Sequence, residues 1–331
     1  MKKALILGGN GFIGHHLAKK LKKDGYWIRT IDIKEYEYGT PNYTDDYILE
    51  DLTNISHFER ALLKNNIWFD ETYHLAAFMG GAGVIFSGKH DAQILHDNLM
   101  IDLNVAELCK RYKLPKVFYS SSACCYNQEL QLNANNVGLK ENMDYPAHPD
   151  SDYGFEKLMG ERIFKAYARN YNLNIKIARF HNIFGPEGAW CNGKEKAPAA
   201  ICRKIAEIEG NTGEIEIWGD GEQSRTFLYI DECVEGIQKL MTDSIFNGPV
   251  NIGSTELITI NKLVEMVAII ANKNITIKHI DGPIGVRGRC SDNTLIQEKL
   301  GWKPSQPLYK GLVKTYQWIQ KETERLNNQN E

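Results

Sequence analysis

A glycine-rich loop near the start of the chain places the strongest constraint on its fold. The loop, GGNGFIG, follows the apolar run KALIL and precedes an amphipathic stretch, HHLAKKLKKDG. Glycines permit a tight turn here and let backbone N–H groups approach a pyrophosphate at the helix N-terminus. A glycine run alone is often only a turn, but this one lies between a predicted strand and a predicted helix. We therefore predict a dinucleotide site that includes Gly8, Gly11, Phe12, Ile13 and Gly14.

An acidic residue ends the second predicted strand, WIRTID. Asp32 follows the glycine loop by the roughly 20 residues typical of the carboxylate that binds the adenosine ribose. The alternative interpretation is an ordinary turn residue at a strand end, and the glycine loop favours the binding role. A carboxylate at this place repels a 2′-phosphate, so NAD is the predicted cofactor rather than NADP. Asp51 and Leu52, after a third short strand, are weaker candidates for contact with the adenine.

Short apolar runs alternate with helical patterns through the first half of the chain. The predicted strands include KALIL, WIRTID, ETYHLAA, KVFYSSS and NIKIARF, and short elements such as IEIWGDG, FLYIDE and PVNIGS follow. This order predicts an α/β fold: a Rossmann-type doubly wound parallel sheet with a smaller C-terminal α/β substrate domain. We expect residues 1–178 to form the NAD-binding domain, with return segments near 227–252, and residues 179–331 to form mainly the substrate domain.

Composition argues against several classes of protein. The formal net charge is −3, so there is no basic footprint for a nucleic-acid partner. No apolar run approaches the roughly 20 residues that span a membrane. The seven cysteines are scattered without zinc-like spacing, which predicts reduced thiols, a cytoplasmic location and no metal site.

A tyrosine and a lysine lie one helical turn apart in the segment YGFEK. At this spacing Tyr153 and Lys157 share one face of the predicted helix. An ammonium beside a phenol lowers the pKa of the phenol, and it also suits binding to the cofactor ribose. Such a phenol takes a proton from a sugar hydroxyl while hydride leaves to nicotinamide. The same spacing also occurs by chance on ordinary helix faces, so the pair gains meaning only beside the glycine loop.

Taken together, these features resemble the extended short-chain dehydrogenase/reductase family over nearly the whole chain. The resemblance also rests on HLAA, which contains Ala76, and on DNLM, SSS, RFHNIFGP and LGWKP. It implies that Ser122 and Tyr153 contact the sugar hydroxyl being oxidised and that Lys157 and Ala76 contribute to the cofactor site. It also implies that the second domain binds a nucleotide-diphosphate sugar.

A narrower set of motifs is similar to the GDP-mannose 3,5-epimerases within that family. The motifs include HLAAFMGGAGVI, SSACCY, GKEKAPAAICRK, WGDGEQSRTFLYIDECVEG and GVRGRCSDN, of which GKEKAPAA is the most specific. The resemblance implies that Cys124 and Lys196 exchange protons at C5 and C3 of the sugar while C4 is transiently oxidised by bound NAD. Reduction of C4 would then give GDP-L-galactose, with GDP-L-gulose as a second product.

Each of the two acid/base candidates has a structural alternative. Cysteine is frequently a buried, inert residue, and a lysine in a polar stretch is usually solvated. If the extended run continues through SSSACCY, Ser122, Cys124 and Tyr126 share one side, and Cys125 is a packed residue. Lys196 is expected to begin the helix APAAICRKIAEIEG, where the helix N-terminus would lower its pKa. Lys194 is its nearest competitor.

The charged substrate requires basic and polar partners. Arg225, Arg287 and Asn182 are the candidates for the diphosphate, and Gly81 is expected to let the backbone lie close to the sugar. Weaker candidates are Arg289 and Lys204. The resemblance further implies a homodimer formed by the helices around 97–111 and 153–171.

Two alternative functions stay open at this level. One is a related GDP-sugar epimerase or C4 dehydrogenase that acts on an analogue such as a GDP-heptose, suggested by Cys125 and by Cys191 and Asn192. The other is a non-catalytic NAD-binding scaffold, which the intact YGFEK segment disfavours.

Overall fold

The computed structural model describes residues 1–38 and 43–330. Its strands are β1 (Lys3–Leu7), β2 (Trp27–Asp32), β3 (Asp46–Leu49), β4 (Glu71–His74), β5 (Val117–Ser122), β6 (Ile175–Phe180), β7 (Ile183–Phe184), β8 (Thr212–Trp218), β9 (Ser224–Thr226), β10 (Leu228–Tyr229), β11 (Val250–Ile252), β12 (Leu257–Thr259), β13 (Asn274–Ile280) and β14 (Gly288–Arg289). Its helices are α1 (Phe12–Lys23), α2 (Ile55–Leu63), α3 (Ala82–Ile85), α4 (Asp91–Tyr112), α5 (Asp152–Tyr171), α6 (Ala197–Ala206), α7 (Ile230–Thr242), α8 (Ile260–Ala271), α9 (Thr294–Leu300) and α10 (Leu308–Asn330).

A parallel sheet forms the centre of the molecule. Within the described ranges it has seven strands in the order β11-β6-β5-β4-β1-β2-β3, and the neighbouring strands pair in parallel. The order from β3 to β6 is that of a Rossmann sheet. The predicted doubly wound α/β fold is therefore confirmed.

Alternate residues of the central strands feed two hydrophobic layers. In β1, Ala4 and Ile6 belong to one core cluster, which also contains residues of α1, α6, α7, α8 and α10. Leu5 and Leu7 belong to the other, which contains residues of α2, α4 and α5. Because strand side chains alternate between faces, a continuous apolar run such as KALIL is typical of a sheet covered on both sides.

Smaller sheets contain most of the remaining strands. β12, β9 and β14 form one sheet, β13 pairs with β8, and β10 pairs with β7. β11 returns to the central sheet, where Val250 is opposite Ala178. In the part of the chain that the structure describes, none of the helices is long and apolar enough to cross a membrane.

Candidate active site

A cavity of about 1140 Å³ opens beyond the carboxyl ends of the central strands. The glycine loop and Asp32 line one part of it, and residues of α6 and β9 line another. Ligands of doubly wound folds bind at this edge of the sheet, where the strand order reverses. The following predicted residues all line this cavity: Gly8, Gly11, Phe12, Ile13, Gly14, Asp32, Asp51, Leu52, Ala76, Gly81, Ser122, Cys124, Tyr153, Lys157, Asn182, Lys196 and Arg225.

The glycine loop has the shape of a pyrophosphate cradle. Gly8 has a φ of +80°, and a Cβ at this position would lie 2.7 Å from the Ala76 backbone nitrogen. A Cβ at Gly14 would lie 2.9 Å from the Gly9 Cα. The Gly11 N–H donates to the Gly8 carbonyl at 3.1 Å, and α1 begins directly afterwards. Because side chains would fill this space, the loop fits a dinucleotide that needs close backbone approach.

The acidic residues beside the cradle fit the adenosine end of the same cofactor. The Asp32 carboxylate accepts hydrogen bonds from the backbone N–H groups of Asn10 at 2.9 Å and Lys34 at 3.2 Å. Burial raises the pKa of Asp32 above its ordinary value, while these backbone donors act to lower it. Asp51 accepts from the Thr53 N–H at 2.9 Å. Both carboxylates lie on the cavity wall.

Tyr153 and Lys157 lie on the buried face of α5. The Lys157 Nζ lies 5.7 Å from the centre of the Tyr153 ring. Burial raises the pKa of Tyr153, whereas Lys157 and a hydrogen bond with Ser122 act to lower it. Lys157 thus acts on the pKa of Tyr153 in the predicted direction. The pKa nevertheless lies above its ordinary value, because burial outweighs the effect of Lys157. Burial also acts to lower the pKa of Lys157, but Glu156 and other acidic neighbours raise it above its ordinary value.

The Cys124 thiol lies in a turn rather than in a strand. β5 ends at Ser122, and residues Ala123–Cys125 form a short 3-10 turn. The Ser122 hydroxyl accepts a hydrogen bond from the Cys124 N–H at 3.2 Å and so caps the turn. The alternation that placed Ser122, Cys124 and Tyr126 on one side is therefore wrong, since Tyr126 is fully buried in the core. Cys125 is fully buried, as predicted.

Arg289 contacts the Cys124 thiol, which makes it more central than its weak sequence signal suggested. Its Nη1 donates to the Cys124 Sγ at 3.1 Å, its Nη2 to Asp150 at 2.8 Å and its Nε to Gln131 at 2.5 Å. Burial acts to lower the pKa of Arg289, but Cys124 and Asp150 raise it above its ordinary value. The hydrogen bonds to Gln131 and Asp150 thus hold the guanidinium beside the Cys124 sulfur.

Lys196 lies at the N-terminus of α6, as predicted from its motif. It is the N-cap residue, and Pro198 lies within the first turn. Burial lowers the pKa of Lys196, while Cys124 acts to raise it. The Lys196 amine and the Cys124 thiol belong to residues that line the same cavity. Lys194 is exposed, and its backbone carbonyl accepts a hydrogen bond from the Gly81 N–H at 3.0 Å, so its backbone contributes to the cavity wall.

The two candidate phosphate arginines occupy different places. Arg225 lines the cavity, and its guanidinium donates to the carbonyls of Ser224 at 2.8 Å and Ile284 at 3.0 Å. Burial, with the nearby cation of Arg289, lowers the pKa of Arg225 to about 10. Arg287 is not among the described residues that line the cavity, and its guanidinium donates two hydrogen bonds to the Asp220 carboxylate at 2.7 and 2.9 Å. The structure thus brings Arg225 and Arg289, opposite one another on β9 and β14, to the site in place of Arg287.

Two further candidate residues, Asn182 and Lys204, also lie in the cavity wall. Asn182 lines the cavity, and its amide donates to the Thr226 carbonyl at 3.0 Å. Lys204 also lines it and donates to the Glu216 carbonyl at 2.5 Å. Among the described residues, no group of three or more His, Cys, Asp and Glu side chains is arranged to hold a metal ion.

Two of the three residues that suggested a heptose substrate, Cys191 and Asn192, lie outside the cavity lining. Cys191 packs against the larger core cluster, and the exposed Asn192 donates to its sulfur at 3.2 Å. Neither is among the described residues that line the cavity.

Sequence comparisons place these features in a family. Residues 4–253 match the model of the NAD dependent epimerase/dehydratase family. The chain is 44% identical over 324 residues to GDP-mannose 3,5-epimerase of Arabidopsis thaliana, covering 98% of this chain and 83% of that protein. It is 43% identical over 325 residues to GDP-mannose 3,5-epimerase 1 of Oryza sativa subsp. japonica, with the same shares of 98% and 83%.

Solved structures show the same fold. The UDP-glucose 4-epimerase of Thermotoga maritima, solved with UDP-glucose, superposes with a TM-score of 0.85 at 26% identity, covering 97% of this chain and 99% of that one. The UDP-glucuronic acid 4-epimerase of Bacillus cereus, in complex with UDP-glucuronic acid and NAD, gives a TM-score of 0.80 at 26% identity, with the same coverage of 97% and 99%.

The family match spans most of the chain, and the glycine cradle and Asp32 fit the cofactor in its description. This chain therefore belongs to the NAD dependent epimerase/dehydratase family, and NAD is its cofactor.

Proposed function

We propose that this chain catalyses the 3,5-epimerisation of GDP-mannose, giving GDP-L-galactose and the 5-epimer GDP-L-gulose. One observation carries the proposal: a thiol held by Arg289 and a half-buried amine line the same cavity as the Tyr153–Lys157 pair. Proton exchange next to a carbonyl requires such groups in addition to a hydride acceptor. The 44% identity to a GDP-mannose 3,5-epimerase over 98% of the chain supports the substrate.

The NAD-binding assignment follows the cavity wall. Gly8, Gly11 and Gly14 would leave room for the pyrophosphate, and Asp32 would accept the ribose hydroxyls. Phe12, Ile13, Asp51, Leu52 and Ala76 would complete the pocket. When bound, NAD accepts a hydride from C4 of the sugar and later returns it. We assign this site to residues 1–178 with the return segments near 227–252, and the sugar-nucleotide site mainly to residues 179–331.

Tyr153 acts on the C4 hydroxyl. It takes the hydroxyl proton as the C4 hydride leaves, and it gives the proton back when C4 is reduced. Ser122 orients the same hydroxyl, and Lys157 stabilises the phenolate and holds the cofactor ribose. Both neighbours favour this ionisation, because each acts to lower the pKa of Tyr153 against the effect of burial.

Cys124 and Lys196 act on the carbons on either side of C4. Once C4 is a ketone, the hydrogens at C3 and C5 become acidic, because the carbanions are stabilised as enolates. One group removes a proton from one face of the ring and the other delivers a proton to the opposite face. Arg289 donates a hydrogen bond to the Cys124 sulfur, and burial lowers the pKa of Lys196 below its ordinary value.

Arg225 and Asn182 would bind the GDP part of the substrate. Arg225 and Arg289 lie side by side, so their positive charges favour a diphosphate near them. Gly81 shapes the wall beside Lys196. Arg287, which pairs with Asp220, is left out of this assignment.

A homodimer and a cytoplasmic location are part of the same proposal. α4 and α5 pack together. On these helices the apolar residues Leu103, Phe155 and Met159 are 42%, 44% and 48% exposed. Apolar side chains of this kind suit a helix-to-helix interface between copies. Each cysteine in the described ranges is a free thiol, which supports a reducing compartment.

Substrate turnover tests the function. Purified protein is incubated separately with GDP-mannose, a GDP-heptose and UDP-glucose, and the products are identified by NMR. We expect GDP-L-galactose and GDP-L-gulose from GDP-mannose and far slower reaction of the other two. Faster turnover of the heptose would replace the proposed substrate. Tight NAD binding without turnover of any sugar nucleotide would instead support a non-catalytic scaffold.

The acid/base assignment has its own variant. Cys124→Ala should abolish epimerisation and proton exchange but retain NAD binding, because the thiol is assigned to proton exchange at the sugar and not to the cofactor site. A variant that still inverts both centres at the normal rate would remove Cys124 from the mechanism.

A further inference from the structure

A carboxylate lies buried directly behind the Lys157 ammonium. Glu156 Oε1 is 3.4 Å from Lys157 Nζ, and the two side chains are 0% and 2% exposed. No hydrogen bond is described for this Oε1, which is fully buried, so the ammonium is its close partner. An unpaired charge in such a place is strongly disfavoured, and pairing is what permits both groups to be buried.

The same carboxylate is tied to the cavity wall. Its second oxygen, Oε2, accepts from the Asn98 amide at 3.1 Å. The Asn98 side chain in turn accepts from the Phe78 N–H at 2.6 Å and donates to the Phe78 carbonyl at 3.0 Å. Phe78 lines the cavity between Ala76 and Gly81. The ammonium is thus linked by consecutive contacts to the backbone of the cavity wall.

A missing side chain one turn later makes this arrangement possible. A Cβ at Gly160 would overlap the Tyr119 hydroxyl and the Asp102 carboxylate and lie 2.7 Å from the Tyr119 Cζ. With glycine there, the Tyr119 hydroxyl donates to Asp102 at 2.9 Å and the Lys157 Nζ lies 5.2 Å from the Tyr119 ring centre. The segment EKLMG therefore provides both the Glu156 carboxylate and, at Gly160, the space that Tyr119 and Asp102 occupy.

We propose that Glu156 is a positioning residue, which fixes the Lys157 ammonium beside Tyr153 by pairing with it and anchoring it through Asn98 to the Phe78 backbone. Glu156 touches neither of the proposed reacting atoms and acts through Lys157. The assignment rests on the proposed function, because it assumes that Tyr153 and Lys157 carry out the proton transfer at C4.

The surrounding charges fix the sign of the expected pH effect. The groups that face Glu156 are Lys157 and Tyr153 on its own helix and Asp102 on α4, which also pairs with His74 of β4 at 2.7 Å and with Tyr119 of β5. Glu156 acts to raise the pKa of Tyr153 and of Lys157. Burial raises the pKa of Glu156 itself above its ordinary value, and Lys157 acts to lower it. At a pH where Glu156 is ionised, removing its negative charge should move both limbs of the pH–rate profile to lower pH.

The test compares Glu156→Gln with Glu235→Gln, an exposed carboxylate on α7, in the full chain. We expect Glu156→Gln to lower kcat by about tenfold, the effect of roughly 1.4 kcal/mol, with KM for GDP-mannose within about twofold. Its pH profile should move by about one unit to lower pH, and the Glu235→Gln profile should match the wild type. A profile that superposes on the wild type, or a loss of rate that is equal at every pH, would overturn the assignment.

A second variant separates charge from folding. Glu156→Ala leaves space for a small anion, so added formate should restore part of kcat and shift the pH profile back. No recovery in a folded variant would indicate a structural role and contradict the proposal.

Failure of the wild-type protein to epimerise GDP-mannose would reject the proposed function, but it would not decide whether Glu156 positions Lys157. NAD binding then supplies the readout, since it uses Lys157 but no sugar. The NAD dissociation constant should rise about tenfold in Glu156→Gln and stay unchanged in Glu235→Gln. Equal affinities would overturn the role of Glu156.

Discussion

Replacing Gly81 with alanine should slow epimerisation by about 100-fold while leaving NAD binding unchanged. A Cβ at position 81 would overlap the Glu195 carbonyl oxygen and lie 3.0 Å from its carbon. The carbonyl oxygen is the nearer atom and therefore sets the displacement, so the two segments must separate by roughly 1 Å to restore van der Waals distances. Lys196 follows Glu195 directly and would move with it. A displacement of about 1 Å in a reacting group can cost about 10²-fold in rate.

A neighbouring glycine gives a matched control. A Cβ at Gly83 would lie 3.4 Å from the Trp218 ring and 3.6 Å from the Gly193 carbonyl, which are ordinary contacts. Gly83→Ala should therefore keep near-normal activity. Initial rates of GDP-mannose epimerisation by NMR, with NAD affinity by isothermal titration, measure both effects. A wild-type rate in Gly81→Ala, or a parallel loss of NAD binding, would refute this explanation of how Lys196 is placed.

Three other perturbations probe the cofactor site, the phosphate site and the core. Asp32→Ala should weaken NAD binding by about 10- to 100-fold, since a hydrogen bond to a charged group contributes about 1.5–3 kcal/mol; unchanged affinity on isothermal titration would contradict its role. Arg225→Met should raise KM for GDP-mannose by a similar factor, and Arg287→Met by less than about twofold; the reverse order in steady-state kinetics would restore Arg287 to the site. Acid should destabilise the fold through Glu161: burial acts to raise its pKa, but Arg179 and other donors outweigh burial and lower it from 4.5 to about 2. The stabilisation, about 3 kcal/mol, is thus present above about pH 4.5 and lost as the pH falls towards 2. Urea unfolding of Glu161→Gln should lack this acid-dependent loss, and the same pH slope as the wild type would argue against it.

Local motifs carried most of what was predictable about the fold. The glycine loop, Asp32 and the Tyr153–Lys157 pair depend on short spacings that a strand–turn–helix order converts directly into proximity. The parallel sheet with helices on both faces followed from the alternation of apolar strands and helical patterns. The helices Ile55–Leu63 and Ile230–Thr242 were missed. In the second case an apolar run, FLYIDE, supplies a two-residue strand and then the first helical turn.

Long-range partners decided what the sequence left open. Arg287 and Arg289 are two residues apart in one motif. Only the folded chain shows that Arg287 pairs with Asp220, whereas Arg289 donates to the Cys124 sulfur. The strand prediction through Cys124 failed because a side-chain hydroxyl, that of Ser122, competes for the backbone N–H and starts a turn. Such side-chain competition is not visible in a two-residue periodicity.

Reaction of GDP-mannose in D2O measures the proposed chemistry most directly. NMR of the recovered sugars should show deuterium at C3 and C5, where Cys124 and Lys196 exchange protons with solvent, and protium at C4, where the original hydride is returned. Deuterium at C4, or epimers that form without any deuterium at C3 and C5, would contradict a transient C4 ketone flanked by this thiol and this amine.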